Sequence, residues 1–210
     1  SILNNDTIIQ SLMGSKMPFV LVGRHPTLEV NFLDVDNVQS GRKATMHLVR
    51  LGYKRIATIT GNMNQVAGND RYQGYVKALQ DAGLPIRPEL VAEGNFSEEG
   101  GYNAMQKLLK YKADAVFIAS DMMAFGAMRA LREARLSIPD DIAIVGFDDI
   151  PASAKAEPPL TTVRQPINQM GSKAAEMLID LIENSHQTIQ KYFLDTELVV
   201  RESCGSARTA

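Results

Sequence analysis

The sequence predicts an α/β fold of parallel sheet with helices on both faces, and three observations predict it. Several short runs are apolar throughout rather than at every second position, which is how strands read when both faces are covered. Amphipathic stretches of period 3.6 separate them. The connections are short, and Gly or small polar residues follow each run, as at the carboxyl edge of a sheet where ligands bind. With 210 residues, 45% of them hydrophobic, the chain can bury a large core and suits one large domain or two small lobes.

Taken in order, Phe19–Val22 reads as the first strand and exits into Gly23-Arg24. A helix follows over Asn37–Leu51, with Val38, Gly41, Thr45, Leu48 and Val49 on one stripe, Asp36 as N-cap and Gly52 as stop. Ile56–Thr60 is the next strand and exits into Gly61-Asn62. Asp70–Ala82 is helical through Tyr72, Val76 and Leu79, and stops at Gly83. Glu98–Leu109 is helical through Tyr102, Met105, Leu108 and Leu109, with Ser97 as N-cap. Ala115–Ala119 is a strand exiting into Ser120-Asp121, where Asp121 can cap the helix Met122–Ala134. Pro139 breaks the chain after Leu136, and Ile142–Val145 is a strand exiting into Gly146-Phe147-Asp148-Asp149. Gln169–Glu183 is the last helix, carrying Ala174, Met177, Leu178, Leu181 and Ile182. Gly and Asp at any one exit also serve turns and caps; four such exits together point to a ligand-facing edge.

Composition and motifs exclude several classes. Lys and Arg number 22 against 24 Asp and Glu, a net charge of −2, so no basic excess offers a footprint for duplex nucleic acid. One cysteine, Cys204, excludes an internal disulfide framework and fits a reducing compartment. No apolar run approaches the roughly 20 residues that span a bilayer, and Ser1–Asp6 does not read as a signal peptide. P-loop, dinucleotide and nucleophile-elbow patterns are absent. His25, His47 and His186 have no metal-ligand spacing, so neither metal nor cofactor is expected. His47, between Met46 and Leu48, reads as structural, and Cys204 as inert. Asp140-Asp141 reads as a turn. Asp148-Asp149 could be an acid/base pair, but no nucleophile accompanies it, and adjacent strand-end residues point apart.

From Gly146-Phe147-Asp148-Asp149-Ile150 through Pro158-Pro159-Leu160-Thr161-Thr162-Val163-Arg164-Gln165-Pro166 the chain resembles the lac repressor family of bacterial transcription regulators. Gly52-Tyr53-Lys54-Arg55-Ile56-Ala57, Arg71-Tyr72-Gln73-Gly74-Tyr75, Ser120–Ala127, Ile138–Ile142 and Val200-Arg201-Glu202-Ser203 extend the resemblance over nearly the whole chain. What matches is the effector-binding part, whose fold is shared with periplasmic sugar-binding proteins. The resemblance implies two doubly wound parallel-sheet lobes linked by three crossovers, with ligand in the cleft between them. The first lobe would be 1–35 with 167–194, and the second 36–166 with 195–210. It also implies a helix-turn-helix headpiece of roughly 60 residues and an opening strand–helix–strand–helix, neither of which this chain contains. Ser1-Ile2-Leu3 reads as the end of an internal strand, so the first lobe is expected to be incomplete.

The resemblance further implies a set of ligand contacts. Arg71 would reach ligand oxygens, Phe96 would pack on an apolar ligand face, and Asp148 would accept ligand hydroxyls. Ser120 stands where Asn is common, ahead of Asp121, and Gln165 would be a polar contact beside the hinge. These residue types suit a sugar: Arg and Asp form charge-assisted bonds to hydroxyls, and an aromatic ring covers C–H faces. Each residue also has a plainer reading. Arg71 could make a cap or a surface ion pair, Phe96 could be core, Asp148 a turn residue, and Gln165 a partner for crossover backbone. Val20-Leu21-Val22-Gly23-Arg24 resembles the subgroup that answers to maltose or related oligosaccharides.

The function expected is that of a cytoplasmic sensing domain. A small effector, carbohydrate by this resemblance, would bind in the cleft, and a homodimer would bind operator DNA through the headpiece, with no membrane association. A periplasmic sugar-binding protein of a transporter is the alternative, and the Pro158–Pro166 and Val200–Ser203 segments favour the regulator. An enzyme using Asp148 and Asp149 is a third class, disfavoured by the missing nucleophile.

Overall fold

The apolar runs do become buried parallel strands. The structure is a computed structural model that describes residues 7–15, 17–184 and 188–206; the expected strand end at Ser1–Leu3 and His186 lie outside them. In chain order the elements are α1 (Thr7–Gly14), β1 (Leu21–Val22), β2 (Phe32–Val35), α2 (Asn37–Arg50), β3 (Ile56–Thr60), α3 (Val66–Asp81), β4 (Val91–Glu93), α4 (Glu98–Leu109), β5 (Ala115–Ile118), α5 (Asp121–Glu133), β6 (Ala143–Asp148), β7 (Thr161–Arg164), α6 (Ile167–Glu183), β8 (Lys191–Leu194) and β9 (Glu197–Val199). A 3-10 turn, Pro151–Lys155, joins β6 to β7.

Two sheets result. One has the order β1-β2-β8, all parallel; the other has the order β4-β3-β5-β6-β7-β9, parallel except that β9 runs antiparallel to β7. Alternate residues of the six-stranded sheet feed two cores. Ala57, Ile59, Val116, Ile118 and Ile144 pack under α4 and α5. Ile56, Ala115, Phe117, Val145 and Phe147 pack under α2 and α3 with Leu48, Tyr75 and Leu79. Both faces are therefore covered, as the continuous apolar runs require. A smaller core, of Leu33, Val35, Met170 and Met177, joins α6 to the three-stranded sheet. The chain passes between the sheets three times: after β2 at Asp36, after β7 at Gln165-Pro166, and after β8 at Asp195-Thr196. No helix among the described residues is long and apolar enough to cross a membrane.

Several boundaries differ from expectation. Asp36 and Ser97 cap α2 and α4 through Gln39 N and Gly100 N, but α5 is capped by Ser120, and Asp121 is its first residue. Its carboxylate is drawn to three donors across the sheet edge instead. Helix α3 starts at Val66, four residues before the expected Asp70. The expected exit Gly146-Phe147-Asp148 is the last stretch of β6, because β7 pairs with it as far as Asp148↔Arg164. Only Leu21 and Val22 of the first run pair with β2. Cys204 is fully buried and lies 3.3 Å from His47 Nε2. Burial pushes its thiol up, but hydrogen bonds from His47, Thr161 and Ser206 outweigh this and bring it to about 7.

Candidate functional site

In the six-stranded sheet the chain leaves β3 through α3 on one face and leaves β5 through α5 on the other. The carboxyl ends of β3 and β5 thus flank a topological switch point, where an open α/β sheet forms a crevice. Arg71, on α3, reaches into it. Gly41 allows this: a Cβ there would lie 2.6 Å from the Arg71 carbonyl oxygen, so α2 and α3 approach closely enough to bury Arg71.

Arg71 is 5% exposed and fully engaged on one side. Its Nε donates to Asn37 Oδ1 at 2.9 Å, its Nη1 donates to the Ala119 carbonyl at 2.7 Å, and the same nitrogen lies 3.5 Å from Asp148 Oδ1. The guanidinium lies 3.6 Å from the centre of the Phe147 ring and 5.8 Å from that of Phe96. Burial pulls its pKa down, against the pull of Asp148, Asp34 and Asp121. Asp148 ends β6 with φ 122°, and Asp149 follows at φ 57°. Both lie in backbone regions costly for a residue with a Cβ, and such strain concentrates at ligand sites. The Asp148 carboxylate accepts from Gln165 Nε2 at 2.8 Å. Burial holds its pKa above the ordinary value, although Arg71 and Gln165 favour the charged form.

Asp149 turns the other way, accepting from Arg164 Nε at 2.6 Å and Arg201 Nη2 at 2.7 Å. Burial opposes its ionisation, but these two arginines outweigh it and lower its pKa. The two adjacent carboxylates therefore serve different partners and form no acid/base pair. Asp121 is fully buried and accepts from Ser153 Oγ at 2.6 Å, Thr162 Oγ1 at 2.6 Å and Ile150 N at 3.1 Å. Burial raises it to about 6 despite those bonds. The Ser120 hydroxyl is occupied by the Met123 N–H.

Phe96 follows Asn95 in a turn where both have positive φ, 58° and 52°. Its ring covers Gly61 at the end of β3, and any Cβ at Gly61 would overlap it. Gly61→Ala is thus expected to displace the Phe96 ring from the crevice, with little change in the strands. Near-ultraviolet circular dichroism would register the shift; an unchanged spectrum would refute the contact.

Arg71, Phe96, Asp148 and Gln165 therefore meet, while Ser120 and Asp121 sit behind Asp148 at the start of α5. Sequence reasoning did not single out Asn37, Asp34 and Asp70 as site residues, and named Arg24 as a strand exit and as the last residue of the Val20–Arg24 resemblance. Asn37 Nδ2 donates to Asp34 Oδ1 at 3.2 Å, and Arg24 pairs with both Asp34, at 3.9 Å, and Asp70. Arg24 and Asn37 are polar residues just past β1 and β2, but Asp34 lies within β2 and Asp70 within α3, so no shared sequence signal joined the four. Two cavities border this group. One of about 1150 Å³ is lined by Asp148, Gln165, Pro166 and Phe193; another of about 420 Å³ is lined by Arg24, Asn37, Asp70 and Phe193.

Comparisons with known proteins show the family and the fold. A family model described as periplasmic binding protein-like domain matches residues 45–204. The HTH-type transcriptional regulator CelR of Thermobifida fusca is 41% identical over 208 residues, 97% of this chain and 61% of that protein. A structure of a transcriptional regulator CelR–cellobiose complex superposes with a TM-score of 0.94 at 40% identity, covering 97% of this chain and 64% of that one. A regulatory protein of the LacI family from Chloroflexus aggregans gives a TM-score of 0.89 at 37% identity, covering 97% of this chain and 74% of that one. The chain spans about three fifths of the length of the curated relatives it matches.

Proposed function

The chain belongs to the lac repressor family, through its periplasmic binding protein-like domain, and from that premise we propose that it is the effector-sensing part of a transcription regulator. The observation that carries this is the cluster of buried Arg71 with half-buried Asp148 and Gln165 at the switch-point crevice. Such a cluster suits a neutral, polyhydroxylated ligand. Arg71 and Asp148 offer charge-assisted bonds to hydroxyls, and Phe96 offers a face for C–H groups. Gln165 orients Asp148 from the crossover side. Ser120 and Asp121 act behind them as positioning residues. The arginines around the crevice already face carboxylates: Arg71 with Asp148, Arg24 with Asp34 and Asp70, and Arg164 with Asp149. This favours an uncharged sugar over a sugar phosphate.

The proposed lobes are 1–35 with 167–194 and 36–166 with 195–210; the membership of β1, β2 and β8 in a separate sheet supports that division. A carbohydrate between the lobes shifts their relative angle by binding one arrangement more tightly. That shift changes operator binding by a helix-turn-helix headpiece, in a cytoplasmic homodimer whose two-fold symmetry matches a palindromic site. The regulator reading is preferred to a transporter's binding protein because the curated relatives are HTH-type regulators. It is preferred to an enzyme because Asp148 and Asp149 serve separate partners.

Cellobiose, the ligand in the CelR complex, is the first probe. At 100 times its dissociation constant it should add about 2.7 kcal/mol of stability. Asp148→Ala should weaken its binding by roughly one to two orders of magnitude, since charge-assisted bonds contribute about 1.5–3 kcal/mol each. A thermal-shift screen in which no sugar raises the melting temperature, or calorimetry in which Asp148→Ala leaves affinity unchanged, would overturn the reading.

A further inference from the structure

The backbone that presents Asp148 does not hold itself in place. Asp148 and Asp149 have φ of 122° and 57°, both costly for a residue with a Cβ, so tertiary contacts must fix them. On one flank, β7 pairs with β6 as far as Asp148↔Arg164. On the other, the Ile150 N–H donates to Asp121. Between them Asp149 is held through its carboxylate, which is 6% exposed and accepts from two arginines. The two are unequal. Arg164 is 48% exposed and shared with Glu197 at 3.2 Å, so solvent screens it. Arg201 is 17% exposed and comes from outside the turn, in the segment that follows β9. Its N–H donates to Thr161 Oγ1 at 2.8 Å, its Nη1 to the Leu160 carbonyl at 2.7 Å and its Nη2 to Asp149 Oδ1 at 2.7 Å. The segment itself is pinned to the sheet. Ser203 Oγ donates to the Ile144 carbonyl and accepts from the Thr161 N–H, both at 2.8 Å, and the Tyr53 hydroxyl donates to the Cys204 carbonyl at 3.1 Å.

We propose that Arg201 is a positioning residue for the effector site: from the C-terminal segment it holds the Asp148-Asp149 turn in the conformation that aims Asp148 at effector, and it touches no effector itself. It lines neither cavity of the crevice. The proposal rests on the reading of that crevice as the effector site. Asp149 is the intermediary. Each of its carboxylate oxygens takes one arginine, so the group cannot rotate and the backbone beneath it is fixed. Its φ lies where glycine is at ease and aspartate is not. Without Arg201 it relaxes toward negative φ, which turns the peptide carrying Asp148 away from Arg71 and Gln165. An arginine with only a structural role would lower stability throughout and leave this turn no worse than the rest of the sheet.

Hydrogen exchange read by mass spectrometry in the ligand-free protein tests the turn. Arg201→Gln and Asp149→Asn should each speed exchange across residues 147–153 by about tenfold, the equivalent of one strained residue released, while β5 keeps its parent rate. Arg201→Lys should restore much of the protection. Arg164→Gln should disturb the turn less than Arg201→Gln, and the double variant Arg201→Gln/Asp149→Asn should go no further than Asp149→Asn. In calorimetry, Arg201→Gln should bind cellobiose about tenfold more weakly, because apparent affinity falls with the competent fraction. It should cost little further affinity where Asp148→Asn is already present, since coupled residues do not add. Exchange that stays at the parent rate in the turn, or rises equally in β5, would overturn the proposal. So would an equal effect from Arg164→Gln, or an affinity loss that persists in full beside Asp148→Asn. If exchange quickens only in the turn while the parent protein binds no cellobiose, Arg201 stands as the anchor of the turn and the choice of effector falls.

Discussion

Replacing Arg71 with alanine is expected to abolish measurable effector binding and to cost roughly 3–5 kcal/mol of folding stability, the range for removing one partner of a buried charge pair. The change strands three groups at once. Asn37 Oδ1 and the Ala119 carbonyl accept hydrogen bonds from this one guanidinium, and the Asp148 carboxylate faces its charge. It also uncovers the Phe147 ring, against which the guanidinium lies. Asp148, already raised by burial with Arg71 present, should then ionise still less readily. Arg71→Lys should fall between, because an ammonium cannot hold Asn37, Ala119 and Asp148 in the planar fork that arginine provides. Thermal melts and calorimetry with cellobiose separate the two effects. An alanine variant that melts with the parent protein would show that the buried cluster contributes nothing to the fold. The plainer sequence reading of Arg71, a cap or a surface ion pair, predicts a much smaller loss, near the 0–1 kcal/mol of exposed pairs.

What could be read from the sequence divides along physical lines. Ile56–Thr60 and Ala115–Ile118 were legible because a strand covered on both faces is apolar throughout, and all their residues are buried. The start of helix α4 was legible because Ser97 is a strong cap. The start of α3 was not, since Gln65 makes no side-chain cap and Gly68 falls in its first turn. β8 was missed because it is short and its Lys191, Tyr192 and Phe193 are all exposed, so it shows no apolar run. Ser120-Asp121 offered two cap-type residues in succession, and propensity alone does not decide between them. The tertiary contacts do: Ser153 and Thr162 arrive from the far side of the sheet edge and take Asp121. Within the site, Arg71, Phe96, Asp148 and Gln165 were legible through their motifs. Arg24, Asp34, Asn37 and Asp70 were not, because they meet only when a crossover folds the three-stranded sheet against α3.

Asp121 carries the second large effect, a pH dependence of stability. Burial raises its carboxyl from the ordinary 3.8 to about 6, although Ser153, Thr162 and the Ile150 N–H all favour the charged form. The folded protein therefore holds a proton at Asp121 over a range where the unfolded chain has released it. Stability from this group is present in full below about pH 4 and is lost as pH rises through about 6. The gap corresponds to about 3 kcal/mol across that window. Asp34 and Asp148, also raised by burial, act in the same direction, and Asp149, lowered by its two arginines, acts in the opposite one, so the parent protein's curve is a sum. Asp121→Asn isolates one contribution. The amide keeps the shape, cannot ionise, and can still accept from Ser153 or Thr162. Denaturant unfolding at pH 4.5 and pH 7 should give a parent-minus-variant stability difference that shifts against the parent at the higher pH, by about 2 kcal/mol. The same difference at both pH values would mean that Asp121 does not titrate in this window. A difference that instead favoured the parent at pH 7 would mean that the three donors outweigh burial and hold the carboxylate ionised. The outcome matters for the site because Asp121 anchors Ile150 and Ser153, directly after the strained Asp148-Asp149 pair. Loss of its grip would loosen the backbone that aims Asp148 into the crevice.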